Sequence, residues 1–128
     1  MYKEEEIENL IIQTLKSHFG DYIEVRAYQN NIQDFVSEHK NGSILVSYAG
    51  TYPDSQYEAV EYHTVRFGVD LLFRNIKTHI DAFPVLRDIR DAMKELYFEI
   101  DSQTFLDIDG DVWHYTMTYS KRFIYEPE

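Results

Sequence analysis

An α+β domain, with one antiparallel or mixed sheet of about four to five strands and two main helices packed on one face, is the fold the sequence predicts. Three observations lead to it. Residues 7–18 and 86–97 each repeat apolar side chains at the three-and-four spacing of a helix face. Residues 61–74 alternate apolar with polar side chains, as a half-buried strand must. Asp109-Gly110 divides two further alternating runs and marks a hairpin. At 128 residues the chain is one domain's worth of protein, so residues 1–128 read as a single unit.

The elements follow in order. Glu4, Glu5 and Glu6 fill a helical first turn, where negative charge meets the positive end of the helix dipole. Ile7, Leu10, Ile11, Leu15 and His18 form the stripe of that helix, and Gly20 ends it. Tyr22–Ala27 reads as a short strand with Ile23 and Val25 on one face. Asn30-Asn31 caps an expected short helix carrying Ile32, Phe35, Val36 and His39, closed at Asn41-Gly42. Ser43–Ala49 alternates, with Ile44, Val46 and Tyr48 opposite Ser43, Leu45 and Ser47, and breaks at Gly50. Thr51–Val60 holds a Pro-Asp pair and no period, which predicts a turn-bearing loop.

The strand at 61–74 puts His63, Val65, Phe67, Val69, Leu71 and Phe73 on one face, with Tyr62, Thr64, Arg66, Asp70 and Arg74 on the other. A second main helix is expected to begin near Asp81, with Pro84 in its first turn and Leu86, Ile89, Met93, Leu96 and Tyr97 on one stripe. If Asp109-Gly110 is the loop of a type I′ hairpin, Ile108 pairs with Asp111, Leu106 with Trp113 and Thr104 with Tyr115. Leu106, Ile108, Trp113, Tyr115, Met117 and Tyr119 then share a face. The second arm, Asp111–Tyr125, can extend roughly 50 Å at ~3.4 Å per residue, so it is expected either to bulge or to project toward a neighbour.

Charge narrows the function classes. With 12 basic and 23 acidic residues the net charge is -11, and an average surface of that sign repels nucleic-acid phosphates and anionic membranes. No specific nucleic-acid binding is expected. Cysteine is absent, which removes disulfides, thiolate nucleophiles and thiolate metal sites together. The opening Met1–Leu10 carries three consecutive glutamates where an export signal needs basic and then apolar residues, and the apolar runs fall far short of the ~20 residues of a membrane helix. The expectation is a non-membrane protein that remains in the cytoplasm in which it is made.

Chemistry-bearing constellations are sparse. Asp107, Asp109 and Asp111 invite a calcium reading, yet a helix-flanked calcium loop needs a glycine at its sixth position and a glutamate at its twelfth. Counted from Asp107 the twelfth residue is Thr118, so a hairpin tip is the better reading. His18, His39, His63, His79 and His114 are scattered. His63 heads the core face of the best strand and reads as a hydrogen-bonded residue at the sheet's edge. No serine or threonine sits on a glycine elbow, and no glycine-rich loop offers to cradle phosphate. Arg87, Arg90 and Lys94 interleave with Asp88, Asp91 and Glu95, the pattern of a salt-bridged solvated helix face. No catalytic residue, cofactor or metal ligand is assigned. A domain of this size without a convergent reactive set is read as a binding or assembly protein.

Four segments carry a resemblance: Ile44–Tyr52 (ILVSYAGTY), Val60–Asn75 (VEYHTVRFGVDLLFRN), Phe83–Leu96 (FPVLRDIRDAMKEL) and Gly110–Ser120 (GDVWHYTMTYS). Together, with a Val-x-Tyr-x-Gly core at Val46, Tyr48 and Gly50, the chain resembles the Mu-like prophage tail proteins, within the tail terminator and tail-completion proteins of long-tailed phages. The resemblance implies a small, non-enzymatic α+β subunit assembling into a homo-oligomeric ring, commonly a hexamer. Such a ring caps the tail tube and joins it to the head, so the implied partners are tail tube and head-tail connector proteins. The implied location is the virion tail, assembled in the host bacterial cytoplasm. It carries over regions: the Gly50–Val60 loop and the Asp109-Gly110 hairpin become candidate contacts, with Tyr48, Gly50, Tyr52, Tyr57, Asp109, Gly110, Tyr119 and Phe123 as the contact residues. A negative lumen also suits a ring through which DNA passes. Two other classes stand beside it: an acidic inhibitor that mimics DNA, and a small metal-binding domain or enzyme centred on Asp107, Asp109, Asp111 and His63.

Overall fold

The computed structural model describes residues 1–28, 39–54 and 60–126. Its elements are α1 (Glu4–Phe19), β1 (Glu24–Ala27), β2 (Gly42–Pro53), β3 (Glu61–Arg74), α2 (His79–Glu95), β4 (Glu99–Asp109) and β5 (Val112–Tyr125). The strands form one sheet in the order β1-β2-β3-β5-β4. β1 runs parallel to β2 and every other pair is antiparallel, so the sheet is mixed and the fold is α+β.

Both helices lie on one face. Ile7, Ile11, Leu15 and Phe19 of α1 meet Val25, Ile44 and Val46 of the sheet, while Leu86, Ile89 and Met93 of α2 complete the same core. Val65, Phe67, Val69 and Leu71 of β3 and Met117 and Tyr119 of β5 are fully buried beneath them. Burial of each large side chain contributes about 1.5–3 kcal/mol relative to exposure, so this layer supplies most of the favourable energy of the fold. The opposite face is largely uncovered and polar, with Thr64, Arg66, Thr116, Thr118 and Ser120 only partly buried or exposed. At the β1 side of that face, however, Ser43, Leu45 and Leu72 are also buried, and both faces of β2 are shielded there.

Several expectations change. β2 does not break at Gly50. It continues to Pro53 across an irregularity between Tyr48 and Gly50, because the Thr51, Tyr52 and Pro53 backbone pairs with Val65, Thr64 and His63. The expected Thr51–Val60 loop is therefore strand at its start. Most of the short helix expected after Asn30 lies outside the described residues, but His39 and Asn41 are held at the end of β1, hydrogen-bonding the carbonyls of Asp21 and Tyr22 at 2.8 Å each.

α2 begins at His79, two residues before Asp81, and Pro84 lies in its second turn. Asp81 sets that start by accepting hydrogen bonds from the backbone N–H groups of Lys77 (2.9 Å) and Thr78 (3.3 Å). These donors hold its carboxyl below the ordinary value. Tyr97, expected on the buried stripe, lies past the helix end with φ 63° and is 80% exposed. No ion pair joins Arg87, Arg90 or Lys94 to a neighbouring carboxylate among the described residues; Arg90 instead reaches Gln103 of β4 at 3.4 Å.

The hairpin turn is displaced by one residue, which shifts the cross-strand partners beside it by two. Asp109 pairs with Val112 and Ile108 with Trp113, leaving Gly110-Asp111 as the loop. Gly110 has φ 63° and Asp111 has no positive φ, the type II′ arrangement in which glycine takes the first central position. β5 neither bulges nor projects. Its whole length pairs with β3 in continuous register, and the irregularities fall on β4 at Asp101 and Leu106.

Candidate assembly surfaces

The sheet is long and narrow, and its two ends differ chemically. β3 has 14 residues and reaches roughly 45 Å at about 3.4 Å per residue. At one end stand Pro53, Glu61, His63, Phe123 and Tyr125; at the other stand Arg74, Gly110 and the first turn of α2. The two contact regions predicted from the sequence are therefore on opposite ends of the molecule.

At the first end the α1 N-terminus is fastened to the sheet. Tyr2 is bonded to His63 Nδ1 at 2.5 Å, and His63 Nε2 lies 3.2 Å from Glu61 Oε1. An ionised carboxylate only accepts, so Nε2–H donates to Glu61 and Nδ1 accepts the Tyr2 hydroxyl. Tyr125 stacks on the imidazole at 4.4 Å, and Tyr2 packs on Phe123 at 5.0 Å. Burial, reinforced by Glu4, pushes the Tyr2 phenol above its ordinary pKa. Both nitrogens of His63 are occupied by side chains that fix its position, as expected, but it lies on the interior strand β3, paired with Pro53 and Phe123, and not at the sheet's edge.

A cavity of about 270 Å³ opens beside this cluster, between α1, the end of α2 and β5. Ile7, Leu10, Leu96, Tyr97, Phe98 and Phe123 supply its apolar wall. Lys121 sits at its margin. Its register is that of the core face, since it follows Tyr115, Met117 and Tyr119 by the strand period and pairs with the buried Val65. Its ammonium lies over Phe123 at 4.9 Å, Tyr97 at 5.6 Å and Phe98 at 5.9 Å, with no carboxylate partner among the described residues. The alternation that carries the core stripe along β5 also locates this lysine, a signal the sequence reading stopped short of using.

At the opposite end the hairpin tip is exposed. Leu106 is 50% and Ile108 49% accessible, with Asp107 between them and Asp109 following. Behind the tip, His79 Nδ1 bonds the Tyr115 hydroxyl at 2.7 Å, and the ring of His79 meets Phe105 and Trp113 edge-on at 4.7 and 5.0 Å. These contacts anchor the hairpin to the start of α2. β4 lies at the end of the strand order and, among the described residues, is paired on one side only. Its 11 residues carry Glu99, Asp101, Asp107 and Asp109 and no basic residue.

The predicted contact residues do not form one site. Tyr48 is exposed on the helix-bearing face, packing edge-on against Phe67 at 5.7 Å. Tyr52 lies on the open face beneath the Arg66 guanidinium at 4.9 Å. The irregularity between Tyr48 and Gly50 puts them on opposite faces. Gly50 makes room for Tyr52, since a β-carbon there would stand 2.6 Å from the Tyr52 hydroxyl. Asp109 and Gly110 are at the exposed tip as expected, and Phe123 lines the cavity. Tyr119 is fully buried and cannot touch a neighbour, which corrects its assignment as a contact. Tyr57 lies outside the described residues.

On the open face Asp54 joins three strands. It accepts from Thr64 at 2.6 Å and Arg122 at 3.3 Å, and the Thr64 bond foremost holds its carboxyl below the usual range. His114 and Asp70 pair at 3.1 Å. No group of three or more His, Asp or Glu side chains that could hold a metal occurs among the described residues, Asp107, Asp109 and Asp111 included. No described helix is long and apolar enough to cross a membrane. No protein family matches this sequence, and neither does any curated protein.

Proposed function

We propose that this chain is a non-enzymatic structural protein that assembles with copies of itself into a ring, in the manner of phage and prophage tail terminators. In that role it caps a tail tube and joins it to head-tail connector proteins, in a virion tail built in the bacterial cytoplasm. The observation that carries the reading is the β4 edge: 11 residues paired on one side only among the described residues, with Phe105, Leu106 and Ile108 exposed along it. An unpaired strand edge with apolar side chains is a surface that associates unless something covers it. The sequence resemblance of four segments supplies the tail context, and the net charge of -11 suits a lumen that DNA must traverse without adhering.

Electron microscopy of the purified protein tests this reading. Closed annular particles of uniform diameter that bind the open ends of tail tubes are the expected result. Isolated particles the size of one 15.3 kDa chain, with no tube binding, contradict it.

A further inference from the structure

We propose that copies join head to tail, the β4–β5 hairpin tip of one seated in the Lys121 cavity of the next. The inference rests on the self-assembling reading above and names the two surfaces that meet. One is a projection carrying exposed Leu106 and Ile108 flanked by Asp107 and Asp109. The other is a mainly apolar hollow whose one lining carboxylate, Glu95, is bonded to His18 at 3.0 Å, and whose lysine, Lys121, lies over aromatic rings and makes no ion pair among the described residues. Apolar side chains fill apolar space, and the carboxylates supply the anion that Lys121 lacks.

Three considerations select this occupant. First, about 270 Å³ is below the roughly 300–1,000 Å³ of clefts that enclose small-molecule ligands, and it suits one or two aliphatic side chains. Second, tip and cavity cannot meet within one chain. Val112 and Lys121 are about nine residues apart on a strand paired along its whole length, hence roughly 30 Å apart. Third, a two-fold pairing of β4 with its own copy would set Glu99, Asp107 and Asp109 of each chain against those of the other, with Asp101 alone among the described residues of β4 paired to a cation, Arg66 at 3.7 Å. Contact between two different patches is heterologous, and a heterologous contact generates a ring when its rotation closes.

The absence of cysteine from the chain makes a direct test possible. Leu10→Cys marks the cavity rim and Ile108→Cys the tip, both at exposed positions. Under mild oxidation an equimolar mixture should give the mixed disulfide at least tenfold faster than either variant alone gives its own dimer. In parallel, Leu10→Glu (cavity blocked) and Ile108→Lys (tip blocked) should each weaken self-association by roughly thirtyfold or more. Mixed, they should stop at two copies, since one intact tip and one intact cavity remain. Lys121→Glu serves as a second cavity variant, and circular dichroism melts confirm that each variant is folded. If folded variants assemble like the wild type, or the mixed disulfide shows no preference, this contact is wrong while the ring reading stands. If the wild type itself never associates, both fall.

Discussion

A β-carbon added at Gly42 would stand 1.8 Å from the Leu72 carbonyl oxygen, at a φ of 105°, whereas one at Gly110, with φ 63°, meets nothing within 4 Å. Gly110→Ala therefore bears only the left-handed conformational cost of about 1–2 kcal/mol. Gly42→Ala must also displace the backbone of β3, and a loss of at least about 3 kcal/mol is expected. Urea unfolding midpoints compare the two directly; equal losses would contradict the geometry. Asp81 gives a pH signature. Its folded pKa is depressed by the Lys77 and Thr78 N–H donors, so its stabilising contribution is present above the unfolded value and lost as pH falls through the lower folded one. Below about pH 4 the melting temperature of Asp81→Asn should fall less steeply than that of the wild type. Parallel acid limbs would show that the carboxylate caps nothing. Tyr119 illustrates what single residues disclosed beforehand. The alternation that put Met117 on the core face put Tyr119 there too, so its burial was legible, and its use as a contact was inconsistent with that pattern.

Among the elements, α2 carries the clearest internal conflict. Pro84 is the sixth residue of the helix and cannot donate to the Ile80 carbonyl, and interior proline is disfavoured by roughly 3 kcal/mol relative to alanine. Ile80 is 72% exposed, so water recovers part of that loss. Pro84→Ala should raise stability by about 1 kcal/mol, read from the denaturant midpoint at unchanged m-value; a lower midpoint would mean that the proline fixes the path of the chain onto the sheet. Helix boundaries were legible only approximately. The periodic stripe located the middle of α2, while its start depends on the Asp81 carboxylate turning back to Lys77 and Thr78. The hairpin was legible as a hairpin and misplaced by one residue, because glycine serves type I′ in the second central position and type II′ in the first. The β4 irregularities at Asp101 and Leu106, and the one beside Ala49 in β2, leave no trace in an alternation pattern. The one in β2 is what turned the faces of Tyr48 and Tyr52 apart.

For the whole molecule, the sheet with two helices on one face follows from the 3.6 and 2.0 periods of the side chains, which are local properties. The strand order, with β5 inserted between β3 and β4 and β1 parallel to β2, depends on pairings distant in sequence. That order is what makes β4 an edge and sends the cavity and the hairpin tip to opposite ends. Composition sets the electrostatics of the proposed assembly. Copies carrying -11 each repel one another, and raising ionic strength from about 0.01 to 0.15 M shortens the Debye length from roughly 30 to 8 Å. Self-association should tighten over that range, as followed by sedimentation velocity; weakening instead would mean that a few cross-copy ion pairs outweigh the net repulsion.

The central claim is that this protein acts by fitting against copies of itself, and its solution mass is the most direct measure. Light scattering on a concentration series at physiological salt should show a mass rising from 15.3 kDa to a fixed integral multiple and then remaining constant, as a closed ring requires. A mass of one chain at every concentration would contradict the account.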